Sequence, residues 1–171
     1  MTQVFFIVLA ILSGAGISMQ AGMLGAIGTA RTPAAAVWIS LLATVVGLTA
    51  FVIYRTASSS IGLPPPFDRP YIMIAFAIAA TVALAFSARD LEWYYVLTGL
   101  MPIPFLVGAG FLAPRLGVGL FISAAIAGQL TAAVLLDHIG AFGGNIIRAD
   151  YIRILGIAAL MTGVVLIRGF N

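Results

Sequence analysis

Between Arg115 and Asp137 run twenty-one residues without a formal charge, LGVGLFISAAIAGQLTAAVLL. As a helix rising about 1.5 Å per residue, the stretch is long enough to cross the apolar core of a bilayer. One amide, Gln129, falls near its middle, where a polar group without a partner is costly. Ser123, Ala127 and Thr131 make one row at helical spacing, with Ala124, Gly128 and Ala132 beside it. Small residues in such rows let a second helix come close.

Of the 171 residues, 63% are hydrophobic and 8% charged, and the mean hydropathy of +1.18 is far above that of a soluble domain. The composition predicts an all-α integral membrane protein, one transmembrane domain built as a polytopic bundle of about six transmembrane helices, with five as the alternative count. Eight arginines against five acids give a net charge of +3. The arginines stand singly between apolar runs, so no basic patch for nucleic acid forms. There is no cysteine and one histidine, which excludes disulfides, thiolate metal sites and cysteine nucleophiles. With no deep carboxylate either, no catalytic triad, dyad, metal cluster or cofactor site is expected, and the chain does not read as an enzyme.

Spans fall at about 4–28, 34–54, 71–88, 93–113, 117–136 and 151–167. The first lacks the basic start of a signal peptide and stays apolar past Gly16, so it reads as a span rather than a cleaved leader. Gly14, Ser18, Gly22 and Ala26 lie four apart on one face, which predicts a helix-packing surface. Gln20 points roughly 200° away from Ser18 around the helix. Pro33 suits the opening of the second span, whose Trp38 and Tyr54 fit the two interfaces. The loop RTASSSIGLPPPFDRP then belongs in water. Tyr71–Ala88, eighteen uncharged residues, meets the lower limit for a span. After Arg89, Asp90 and Glu92, the run Trp93-Tyr94-Tyr95 anchors the fourth span. Pro102 and Pro104 each remove a backbone donor there, so the helix should kink or unwind between Met101 and Phe105, leaving carbonyls that something must satisfy. The two prolines are candidates for a hinge as much as for structural kinks.

The runs LAPRLG at Leu112–Gly117, AGQL at Ala127–Leu130 and LLDHIG at Leu135–Gly140 resemble, in order and spacing, the YdcZ-type inner-membrane exporters of the drug/metabolite transporter superfamily. SGAGISMQAG, Pro33, Ser40 and the final LGIAALMTGVVLI agree more weakly. The resemblance implies an all-helical transporter protomer of the bacterial cell inner membrane, acting as a dimer on a small solute. It departs at Leu24, where family members carry an asparagine shortly after the glutamine. It departs again in the span count, since the family is read with five spans and the extra apolar material here lies around Tyr71–Ala88.

Gln20 and Gln129 are the deepest strong hydrogen-bonding side chains, equally suited to hold a solute or to bond neighbouring helices. Arg115 is a third candidate solute contact, against the plainer role of ending a helix or meeting lipid headgroups. Asp137 and His138 are the one acid–imidazole pair for proton coupling. Gly14, Ser18, Gly22 and Gly128 are the helix-packing candidates. The rival reading is a structural subunit of a larger membrane complex, which the small-residue faces fit as well. With no acid deep in a span, permanently cationic cargo is disfavoured and neutral or weakly anionic solutes are favoured. Four arginines fall on each side of the six spans, so the positive-inside rule sets no orientation. Two oppositely inserted copies could then pair as an antiparallel homodimer.

Overall fold

The computed structural model describes residues 2–58 and 64–169, with backbone only for residues 2 and 56–58. The middle of the expected polar loop, including Ser59 and Ser60, lies outside the described residues. Six helical segments are long and apolar enough to cross a membrane, and no strand occurs among the described residues. They are α1 (Thr2–Ala30), α2 (Pro33–Ser58), α3 (Pro70–Ser87), a composite span Trp93–Leu116, α5 (Val118–Ile139) and α6 (Tyr151–Arg168). The composite span consists of a 3₁₀ segment, Trp93–Gly99, followed by α4 (Ile103–Leu116). The apolar run after Pro70 is therefore a helix of its own, and the count is six rather than five. This is a multi-pass membrane protein.

Local chemistry sets the boundaries. The Thr32 hydroxyl accepts from the Ala35 N–H at 3.1 Å, capping α2 just before Pro33 supplies its fixed φ. Asp150 caps α6 by accepting from the Arg153 N–H at 2.9 Å. A single residue, Gly117 at φ +82°, separates α4 from α5; that conformation has little steric cost only without a Cβ. Gly140, left-handed at φ +62°, ends α5.

The chain forms two compact units, one of α1 up to Ala26 with everything from Pro104 onward, the other of Ile27–Ile103. In the first, Ala10, Leu112, Leu120, Phe121, Ala124, Ala127 and Val164 make a buried core, with the Phe105 and Phe121 rings 5.4 Å apart. In the second, α2 packs on α3 and on the 3₁₀ segment. Its buried side chains include Ala36, Ile39, Ser40, Ala43, Ala80, Leu84 and Thr98. The Arg31 guanidinium there donates to the carbonyls of Ser87 and Arg89, and Trp38 Nε1 donates to the Ser87 hydroxyl at 3.1 Å. Orphan carbonyls at the end of α3 are thereby satisfied. On α6 Ile152, Ile154, Leu155, Val165, Leu166 and Ile167 are exposed, a surface that suits acyl chains as it would not suit water.

Candidate functional site

The first unit turns on a crossing of α1 and α5. A Cβ built on Gly14 would lie 2.7 Å from the Ala125 carbonyl carbon, and one built on Gly128 would lie 2.6 Å from that of Ile11. Both positions require glycine because backbone, which cannot rotate away, occupies the space. One turn along, the Ser18 hydroxyl donates to the Gln129 carbonyl. Ser18 and Gln129 are 111 residues apart, as are Gly14 and Ala125, so the two helices run in the same direction there. Three of the four packing candidates thus meet at one place. Gly22 faces a different neighbour, the ring of Phe142, which a Cβ would approach to 2.8 Å. Phe142 reaches it from the short turn Ala141–Gly143 in a left-handed conformation, φ +58°, uncommon for a bulky residue.

Gln129 enters this crossing through its backbone, and its side chain is half-buried. Gln20 is also half-buried. Two apolar grooves flank the core. One of about 410 Å³ lies between α1 and α4, lined by Leu9, Ser13, Pro104, Gly108 and Phe111 among others. One of about 440 Å³ lies between α5 and α6, with Gly156, Ala159 and Gly163 along it. Neither glutamine lines them. Arg115, exposed at the end of α4, folds back on its own helix: Nη1 donates to the Phe111 carbonyl at 2.5 Å, and the guanidinium carbon sits 3.6 Å from the centre of the Phe111 ring. Cation–π attraction and a helix-end hydrogen bond hold it there.

Asp137 and His138 stand side by side and face different partners. The Asp137 carboxylate takes Nη1 of Arg153 at 3.1 Å, and its carbonyl accepts from the Ile147 N–H at 2.9 Å. Nδ1 of His138 accepts from the Ala149 N–H at 3.1 Å. Together they fasten the return loop 140–150 to the end of α5. Arg153 is the third residue of α6, 16 positions from Asp137, so the two could not be paired from spacing alone.

In the second unit the fourth span breaks at the turn Leu100–Pro102, which begins one residue ahead of the expected window and overlaps its start. Pro104 falls on the second residue of α4, where a missing donor costs nothing. Pro104 accounts for the 3₁₀ bond at the break itself. In an α-helix the Leu100 carbonyl would look to residue 104, which has no N–H. With 3₁₀ bonding it accepts from Ile103 at 3.2 Å instead. The Gly99 carbonyl would then look to Pro102, which also has none, and it receives the Thr44 hydroxyl of α2 at 2.9 Å. Gly99 can sit that close because it lacks a Cβ, which would lie 2.5 Å from that of Ala43. The carbonyl orphaned by proline has thus found its donor on another helix. Thr44 and Gly99 went unremarked in the sequence because nothing in a local pattern links positions 55 residues apart.

A family model described as "Putative inner membrane exporter, YdcZ" matches residues 70–166. The chain belongs to this family. The match takes in α3, so the extra apolar material around Tyr71–Ala88 lies inside the YdcZ region; residues 1–69 lie outside it. No curated protein and no solved structure matches the chain. The three motif runs of the YdcZ resemblance each carry a visible structural task here. LAPRLG makes the one-residue turn between α4 and α5, AGQL makes the crossing with α1, and LLDHIG ends α5 and fastens the loop.

Proposed function

We propose that this chain is a small-solute transporter of the bacterial inner membrane, an exporter as the family description has it, working as a dimer. The observation that carries the reading is the broken fourth span, where prolines interrupt the helix and a hydroxyl from α2 satisfies the freed Gly99 carbonyl. Irregular backbone at membrane depth is tolerated where it is buried in protein or lines a path, and discontinuous spans recur at transport sites. Gln20 and Gln129 offer the solute two donors and an acceptor each. Arg115, with the other arginines at the rims, draws weak anions toward the mouth. The acids stand at span ends or in connections, which supports neutral or weakly anionic cargo over permanent cations.

Proton coupling, if the protein uses it, runs through Asp137 and His138, and both must first release Arg153 and the Ala149 N–H. The even distribution of arginines supports a dimer of oppositely inserted copies. Cysteine labelling at each end of the chain tests that arrangement, because dual insertion makes each end partly reachable from both sides.

The function itself is tested by reconstituting the chain alone in liposomes and measuring flux of a panel of neutral, anionic and cationic metabolites. Flux of a neutral or anionic solute above empty vesicles, lost in Gln129→Leu while the protein stays folded, is the expected result. Folded protein that moves nothing on the panel would favour the structural-subunit reading.

A further inference from the structure

Several hydroxyls within the helices follow one habit. Thr49, Thr81, Thr131, Thr162 and Ser123 each donate to the carbonyl four residues earlier, at 2.7–2.8 Å, and Thr44 shares its one proton between the Ser40 carbonyl at 2.8 Å and that of Gly99. Thr98 breaks it: the residue is 0% exposed and its Oγ1 has no hydrogen-bond partner. The backbone supplies the reason. Thr98 belongs to the 3₁₀ segment, where three residues complete a turn, so residue i+4 no longer stands over the carbonyl of residue i. Tyr94, whose carbonyl would serve Thr98 in an α-helix, is turned aside. The i→i+3 bonds from Leu97 to Leu100 at 2.9 Å and from Leu100 to Ile103 at 3.2 Å carry this pattern through the break. Seven residues of 3₁₀ helix is a long run, and such runs within a span mark hinges or sequence under strain.

We propose that residues 93–99 form a two-state element, 3₁₀ in this structure and α-helical in a second state, with the Thr98 hydroxyl favouring the second. In the α state Thr98 Oγ1 reaches the Tyr94 carbonyl as the other hydroxyls reach theirs. The Gly99 carbonyl, now served by Thr44, meets the Ile103 N–H. The prolines bound the change, since the Thr98 and Leu100 carbonyls find no donor at residues 102 and 104. The segment therefore cannot fuse smoothly with α4. Seven residues shorten from about 14 Å to about 10.5 Å, drawing the start of α4 roughly 3.5 Å toward Trp93. Only the purpose of this switch rests on the transport reading, in which a broken span with two arrangements supplies part of alternating access.

The chain has no cysteine, so spin labels at Glu92→Cys and Leu106→Cys, both exposed positions, bracket this segment, and the Thr98 and Thr44 variants assign any change to it. Double electron–electron resonance in liposomes should give two distances about 3.5 Å apart. Thr98→Val keeps the shape and removes the hydroxyl, and it should deplete the shorter distance about fivefold, the effect of one hydrogen bond. Thr98→Ser should retain it. Thr44→Val leaves the Gly99 carbonyl without its donor in the 3₁₀ state and should enrich the shorter distance by a similar factor. Thermal stability of Thr98→Val should equal or exceed that of the parent, since the hydroxyl has no bond to lose in this state. One distance only, unmoved by Thr98→Val and by Thr44→Val, overturns the proposal. So does a Thr98→Val variant that fails to fold, because the hydroxyl would then be bonded here. No readout requires a solute, so two distances without flux would count against the transport reading and leave the switch standing.

Discussion

The crossing of α1 with α5 and the docking of the 3₁₀ segment on α2 both use glycine to bring backbone against backbone, and they use it to opposite ends. At Gly14 and Gly128 both partners are uninterrupted α-helices. Their backbone groups are already paired within each helix, and the Ser18 hydroxyl adds one bond across. At Gly99 one partner has lost its ladder to Pro102 and Pro104, and the Thr44 hydroxyl replaces a bond that proline removed. Close approach between intact helices gives a fixed joint. The same approach beside a broken helix gives a joint whose hydrogen bonds have alternative partners, and such a joint can exchange one set for another where an unbroken ladder cannot.

Substitutions can break or sharpen that contrast. The largest effect is expected from Gly14→Ala, whose methyl would enter the Ala125 backbone. With neither helix able to yield, the loss should approach about 3 kcal/mol, measured by unfolding in detergent. Gly25→Ala on the same helix, with open space around it, is the control and should be neutral or slightly stabilising. Gly99→Ala also meets backbone, at Ser40 and Thr44, yet the 3₁₀ segment can shift, so a smaller cost of about 1–2 kcal/mol is expected. A loss at Gly99 equal to that at Gly14 would erase the distinction between fixed and movable joints. Ser18→Ala should cost about 1 kcal/mol or less in the same measurement, because the Gln129 carbonyl keeps its place in the α5 ladder. Smallest is Asp137→Asn. Arg153 and Asp137 are 34% and 45% exposed, and ion pairs that wet contribute about 0.5 kcal/mol. Its clearer signature is local, faster amide exchange across 140–150, where the loop loses one of its fastenings.

Much of this was legible from residue order because a bilayer imposes simple rules. Long uncharged runs must be helices, since lipid offers no partners for exposed backbone. The six spans follow from that rule, with the third visible in Tyr71–Ala88 although it meets only the minimum length. The four-residue spacing of Gly14 and Ser18 announced one packing face, and the row at Ala124 and Gly128 announced another. Pro102 and Pro104 announced a break, because proline's missing N–H is a property of the residue and not of its surroundings.

What the sequence could not determine was which partner each feature would meet. That Gly14 opposes Ala125, that Gly22 opposes Phe142 rather than a helix, and that Asp137 and His138 divide between Arg153 and Ala149 depend on how distant segments are brought together. Composition and periodicity describe one helix at a time, whereas these contacts depend on the angle and depth at which two meet. The fourth span shows the limit most clearly. Its break is written in two prolines, but the rescue of the Gly99 carbonyl by Thr44 and the unmet hydroxyl of Thr98 arise only once α2 lies against a 3₁₀ turn. Hydrogen-bond satisfaction in the membrane is a property of the whole packed unit, and only the tertiary structure could decide it.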